Sequence, residues 1–148
     1  MRVWPNDTLF FGDKTMPYFN DAKQIYTVMQ ALFERMRDMK PDPIEALVSS
    51  HMVICLNLTN PEAHITIHGR QRPVRVDYGP PNGRVDMEIG MTADTLHLIL
   101  LDQYSIKRGF TNGEIKLRGP IWKALSFAEV FQKGRTYYPQ VLADQGLG

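Results

Sequence analysis

The sequence predicts an α+β domain: a five-stranded, mainly antiparallel sheet with its helices packed on one face. Three observations carry this. Four short segments of alternating apolar and polar residues follow one another between residues 51 and 91, separated by tight turns, which is the pattern of antiparallel pairing. A fifth alternating segment, Glu114–Arg118, comes only after two helical stretches, so it returns to the sheet by a long crossover and joins an edge. Helical periodicity occupies the chain on both sides of the strands. At 148 residues the chain is one domain by length, and 43% hydrophobic with 22% charged residues excludes wholesale disorder.

Residues 1–20 combine Trp4, Phe10, Phe11, Tyr18 and Phe19 with Pro5, Gly12 and Pro17 and show no period. They read as an irregular arm beside a domain at 21–148. So many large apolar groups are costly to leave in water. The arm is therefore expected to dock on the sheet over Val53 and Cys55, or to pack across a two-fold dimer interface.

Asp21-Ala-Lys-Gln24 resembles a capping box, and Ile25, Val28, Met29, Leu32, Met36 and Met39 follow at helical spacing. The expected helix is Asp21–Met39, stopped by Pro41, with a short helical turn over Pro43–Val48. The strands are expected at His51–Leu58, Ala63–His68, Pro73–Tyr78 and Arg84–Met91. Ile54, Leu56 and Leu58 then share a face with Ile65, Ile67, Val74, Val76, Val85, Met87 and Ile89. The other face carries His64, Thr66, His68, Arg75, Asp77, Asp86 and Glu88 and is wet. Val53 and Cys55 break that alternation, as expected for a central strand or one beneath the arm.

Thr92 opens a helix with Asp94 in its first turn, where an oxygen and a negative charge satisfy free N–H groups. Leu96, Leu98, Ile99, Leu100 and Leu101 leave it almost no polar face, so it is buried or lines an apolar space. A short second helix leads to Glu114–Arg118, in which Ile115 and Leu117 face one way, with Gly113 and Gly119 at the ends. Pro120 then opens a last helix closed by Gly134, with Ile121, Leu125, Ala128 and Phe131 as its inner stripe and Trp122 and Phe127 beside it. Arg135–Ala143 reads as a further short helical piece.

Several function classes are disfavoured. A formal net charge of +1 gives no bulk field toward nucleic acid or anionic membranes. Arg70, Arg72, Arg75 and Arg84 cluster in one hairpin region, but no row of aromatics is interleaved with them, so a solvated sheet face with basic turns is the preferred reading. Cys55 is the only cysteine, which excludes an intrachain disulfide and a multi-thiolate zinc site. His64 and His68 are four apart on a strand, about 13 Å, too far to share one ion. His97, in the Leu-rich helix, reads as a hydrogen-bonded or partly exposed histidine. Asp102 beside Tyr104 is the one carboxylate to watch, and no nucleophile elbow, P-loop or dinucleotide fingerprint occurs. No catalytic residue, metal site or cofactor is assigned, and an enzyme is the less favoured reading. No apolar run approaches a membrane span and no secretory leader is seen, so a cytoplasmic place is expected.

The ordered set of Asp94, the Leu-rich run, the short helix, Phe110 and the strand between Gly113 and Gly119 resembles the closing half of the sterol carrier protein type 2 family. The resemblance covers roughly the last two-thirds of the chain and leaves residues 1–20 outside. Pro120 departs from it, since the family has a small polar residue there, and the closing Gly146-Leu147-Gly148 is not the peroxisomal tripeptide of eukaryotic members. The resemblance implies a lipid cavity between sheet and helices. Its wall is expected at Ile54, Leu56, Met87, Ile89, Leu96, Leu100, Tyr104, Phe110, Leu117, Trp122, Leu125 and Phe131. The expected function is non-catalytic binding or transfer of a sterol, fatty acyl chain or similar lipid. The alternatives are an accessory domain presenting a hydrophobic substrate to a partner enzyme, and a small enzyme tailoring a hydrophobic metabolite. Expected partners are an apolar small molecule or lipid, with a homodimer as an option; neither nucleic acid nor stable membrane insertion is expected.

Overall fold

In the computed structural model of the chain, residues 17–147 are described. Helix α1 spans Ala22–Met36. Its N-cap is Asp21, whose Oδ1 accepts from the Gln24 N–H at 2.9 Å, while Gln24 Oε1 accepts from the Asn20 N–H at 2.8 Å. The box thus closes one residue further back than a simple reciprocal pair would. Ile25, Val28, Met29, Leu32, Phe33 and Met36 are buried, each contributing about 1.5–3 kcal/mol by leaving water. A 3-10 turn at Glu45–Ser50 follows, started by Asp42, whose Oδ1 accepts from the Ile44 and Glu45 N–H groups.

The sheet is built from β1 (Val53–Thr59), β2 (Ala63–His68), β3 (Arg75–Tyr78), β4 (Met87–Thr92) and β5 (Lys116–Arg118), in the order β3-β2-β1-β4-β5. Three of its pairings are antiparallel, and β1 with β4 is parallel. The late strand β5 lies at an edge, as its long crossover requires. The turn at Gly79–Gly83 does not make a hairpin, contrary to the sequence expectation. Residues 79–86 instead carry the chain across β2 and β1, and β4 starts where β1 starts. A hairpin would have placed β4 beside the solvated edge β3, whereas the observed order buries Met87, Ile89 and Met91 near the centre of the sheet.

The register brings the apolar face together as the alternation requires. Ile54 lies opposite Ile67 and Met87, Leu56 opposite Ile65 and Ile89, Ile67 opposite Val76, and Ile89 opposite Leu117. On the other face His64 Nδ1 lies 2.8 Å from Asn57 Oδ1 and His68 Nε2 lies 2.9 Å from Asp77 Oδ2. Cys55 and Thr66 are buried there, and burial pushes the Cys55 thiol up, away from a reactive thiolate.

Helices α2 (Ala93–Leu100) and α3 (Ile106–Thr111) follow β4, and α4 (Ala124–Gly134) and α5 (Tyr138–Asp144) follow β5. Thr92 caps α2, its Oγ1 accepting from the Thr95 N–H at 3.0 Å. Gly119 has φ +120°, and a Cβ there would lie 2.7 Å from the Asp86 carbonyl oxygen, so only glycine lets the chain leave β5 so close to β4. Pro120 does not start a long helix. It precedes a 3-10 turn at Ile121–Lys123, and α4 begins only at Ala124. This changes the phase of the last helix, because a 3-10 turn rotates each residue by about 120° and an α-helix by about 100°. Ile121 therefore leaves the inner stripe and is exposed.

Of the arm's aromatics, Trp4, Phe10 and Phe11 lie outside the described residues. Phe19 is 1% exposed, and Tyr18 stacks on His97 with ring centroids 3.7 Å apart. The Tyr18 N–H donates to Asp94 Oδ1 at 2.9 Å, and its hydroxyl donates to the Leu147 carbonyl at 2.9 Å. Asp94 thus joins residues just before α1 to the start of α2.

Candidate functional site

Four elements converge on one apolar cleft. Ile89 and Met91 of β4, Leu117 of β5 with Ile115 just before it, Ile106 and Phe110 of α3, and Ala124, Phe127, Ala128 and Phe131 of α4 line it. The α4 residues recur at i, i+3, i+4 and i+7, the spacing that places them on one face. Phe127 and Phe131 meet edge to face at 4.9 Å, while the two alanines leave room beside them. Gly109 sets the approach of α3 to the sheet. A Cβ there would sit 2.5 Å from Ile115 Cδ1, so any side chain would push Ile115 into the cleft.

None of these ten side chains carries a polar or titratable group. These ten side chains can desolvate an apolar molecule, and none of them can transfer a proton. As it stands the cavity is closed down to about 20 Å³, room for roughly one water-sized molecule. Polar contacts hold α4 at its two ends. Lys123 Nζ donates to the Ser50 carbonyl at 3.2 Å at the start. Just past the end, Arg135 Nε donates to the Ile99 carbonyl at 2.9 Å and Arg135 pairs with Asp102 at 3.2 Å. Between these anchors α4 is fastened mainly by apolar packing. Behind it, Pro41, Pro43, Ala46, Leu47 and Ser49 face Glu129, Val130 and Lys133 across an open groove of about 260 Å³.

A second buried cluster lies across α2. His97 is 8% exposed, its Nδ1 lies 2.7 Å from the Tyr138 hydroxyl, and Tyr18 covers its ring. Burial lowers the His97 pKa, with the Asp94 charge opposing it, and burial raises that of the Tyr138 hydroxyl. This cluster ties α2 to α5 and to the residues before α1.

The residues expected to form the cavity wall divide as follows. Ile89, Phe110, Leu117 and Phe131 line the cleft together. Ile54, Leu56, Met87, Leu96 and Leu100 are fully buried in the main core. Tyr104 is half-buried behind α3, close to Gly109 and within 3.4 Å of Asn112 Nδ2. Trp122 is 76% exposed, outside the cleft. The side chain of Leu125 lies outside the described residues. The wall also uses Met91, Ile106, Ile115, Ala124, Phe127 and Ala128. Met91 and Ile115 were visible as the next members of their alternating strands. Phe127 and Ala128 belong to the expected flank and stripe of the last helix, and Ala124 needed the true start of α4.

Similarity to known proteins agrees with this architecture. The family profile of the SCP-2 sterol transfer family matches residues 30–132. No curated protein sequence matches the chain significantly. Among solved structures, sterol carrier protein 2 from Yarrowia lipolytica superposes with a TM-score of 0.57 at 16% identity, covering 77% of this chain and 91% of that one. The sterol carrier protein domain 2 of Helicoverpa armigera gives 0.60 at 14% identity, covering 86% and 96%. A protein described as UbiJ-SCP2, a ubiquinone synthesis protein, gives 0.54 at 17% identity, covering 76% and 97%. At these identities the structures establish the shared fold, and the profile spans well over half of the sequence. The chain belongs to the SCP-2 sterol transfer family.

Proposed function

We propose that the chain binds one elongated apolar molecule, a sterol or a fatty acyl chain, between β4–β5 and α3–α4, without chemistry. The observation that carries this is the wholly apolar wall of the cleft. Small-molecule sites enclose about 300–1,000 Å³, so a lipid enters only as α4 moves outward. The groove behind α4 supplies the space, and the anchors at Ser50, Ile99 and Asp102 keep the helix attached. Each methylene taken from water contributes about 0.8 kcal/mol, so a medium chain offsets the opening and reaches about micromolar affinity.

Titration with a fluorescent fatty acid or sterol is expected to saturate at one ligand per chain, with displacement by unlabelled lipid. Native mass spectrometry is expected to find a co-purified lipid. A protein that shows neither has an ordinary closed core. The second reading is a domain that presents an apolar substrate to a partner enzyme, and the fold shared with a ubiquinone synthesis protein supports it. A bound isoprenoid quinone precursor in place of a sterol or fatty acid would favour that reading. No helix among the described residues is long and apolar enough to cross a membrane. A cytoplasmic place and a homodimer through the N-terminal aromatics belong to the same proposal, and mass in solution tests the dimer.

A further inference from the structure

The end of the sheet where β1 and β4 begin gathers features that ligand binding leaves unused. Four segments meet there. The Gly69 N–H donates to the Met52 carbonyl and the Asp86 N–H to the Val53 carbonyl, each at 2.8 Å. Lys123 reaches Ser50, and Gly119 lies against Asp86. This brings Arg70, Arg72, Arg84, Arg118 and Lys123 to one pole from three separate stretches of sequence. The nearby acids are Asp86 and Glu88, with Asp77 level with Glu88 across the sheet and paired to Arg75 at 3.0 Å. Asp86 is engaged by Arg70 at 2.9 and 3.0 Å and by Arg84 at 3.1 Å, and Glu88 faces Arg118 at 3.6 Å. With Arg75 and Asp77 offsetting each other, the five cations stand against the carboxylates of Asp86 and Glu88. Ile121 and Trp122, consecutive in the turn before α4 and next to Lys123, are 65% and 76% exposed.

Charge and shape together select the occupant. Two apolar side chains fall far short of the roughly 800 Å² per partner that a stable dimer buries. A single indole without a row of aromatics does not make a stacking track for nucleic acid. Tryptophan prefers the boundary between acyl chains and headgroups, and lysine and arginine next to it are drawn to anionic lipid. We propose that this pole docks on a bilayer carrying anionic phospholipid, with Ile121 and Trp122 entering the headgroup boundary and the arginines at phosphate level. The inference goes beyond the ligand-binding reading and stands without it. It gives that reading a geometry, because the docked turn runs directly into α4, the helix that closes the cleft.

The test uses the full chain carrying Trp4→Phe, which leaves Trp122 as the reporting tryptophan. Vesicles of phosphatidylcholine, with and without phosphatidylglycerol, are floated with the protein at low and high salt. Binding is expected only with phosphatidylglycerol, to weaken with salt, and to shift Trp122 emission to the blue with quenching by brominated lipid. The Arg72→Gln/Arg84→Gln/Arg118→Gln variant retains Arg70 for Asp86 and is expected to partition about a hundredfold less. Ile121→Ser/Trp122→Ser, read by flotation alone, is expected to lose binding with an unchanged circular dichroism spectrum. Equal binding to neutral vesicles, no binding at all, an unshifted Trp122, or variants that bind like the parent would each overturn the proposal. So would association with nucleic acid or protein alone. Ligand titration without vesicles is independent of all these outcomes, so failure of the cavity reading is separately visible.

Discussion

Phe131→Ala tests most directly whether the cleft is a ligand site. Phe131 is 5% exposed, and its ring meets Phe127 edge to face at 4.9 Å. Truncating such a residue costs about 3–5 kcal/mol in a filled core. Phe131 already borders an empty cavity of about 20 Å³, so part of its surface has no partner to lose. The expected cost is at the lower end, about 3 kcal/mol. The vacated ring enlarges the cavity to on the order of 100 Å³, approaching the size at which a dry apolar hole takes up a small hydrocarbon. Such a ligand enters the variant without moving α4, whereas in the parent α4 must move first. Urea unfolding with and without benzene and a medium-chain fatty acid separates the cases. Benzene is expected to stabilise the variant alone and the fatty acid to stabilise both, by about 2.7 kcal/mol at a hundred times the dissociation constant. If the variant loses its 3 kcal/mol and neither ligand returns any, the space beside Phe131 is ordinary core and the ligand-site argument is refuted.

Leu117→Trp and Leu100→Trp add the same bulk in two places. At 117 the indole enters the cleft, so the fold is expected to survive while lipid titration fails. At 100 it meets Gly134, where even a Cβ would come within 3.3 Å of Leu100 Cδ2, and overpacking costs about 1–3 kcal/mol. The arginines beside Asp86 hold its carboxyl down from 3.8 to about 2, so its contribution is present above about pH 4 and is lost as pH falls toward 2. Asp86→Asn is expected to cost roughly 1–2 kcal/mol at neutral pH and to flatten acid unfolding in that window. His97, whose pKa burial lowers, stabilises the fold above about pH 6.5 and does so less as pH falls below it. His97→Gln is expected to remove that slope in stability measured against pH. Removing residues 1–16 is expected to leave the α+β circular dichroism intact, whereas removing 1–20 also takes Phe19 and costs about 3–5 kcal/mol.

What was legible in the sequence was whatever depends on local period. The capping oxygens of Asp21 and Thr92 and the apolar face of Ile54, Leu56, Ile65, Ile67 and Met87 follow from spacing within a few residues, and the edge position of β5 follows from the order of elements along the chain. Alternation alone fixes which side chains share a face once neighbouring strands pair at all. The family could also be read, because the order of Asp94, Phe110, Gly113 and Gly119 spans one continuous segment.

Four of the twelve expected wall residues line the cleft, and two separate features of the packing place most of the others elsewhere. Running an α-helical period back to Pro120 puts Ile121 on the inner stripe with Trp122 beside it, and the 3-10 turn breaks that period. Ile54, Leu56, Met87, Leu96 and Leu100 are apolar and inward-facing, as expected, but they are packed into the main core, Leu100 against Gly134 of α4. Periodicity reports that a residue faces inward and carries nothing about whether the inside is filled.

By itself, then, the sequence determined the elements, their faces and the family, because these depend on contacts a few residues apart. The parallel pairing of β1 with β4, the small void under α4, and the basic pole around Trp122 were decided only in the tertiary structure. Each depends on which distant segments meet. That choice is made by packing the whole core at once, where burying Met87, Ile89 and Met91 beside β1 outweighed the hairpin the turn at Gly79–Gly83 suggested.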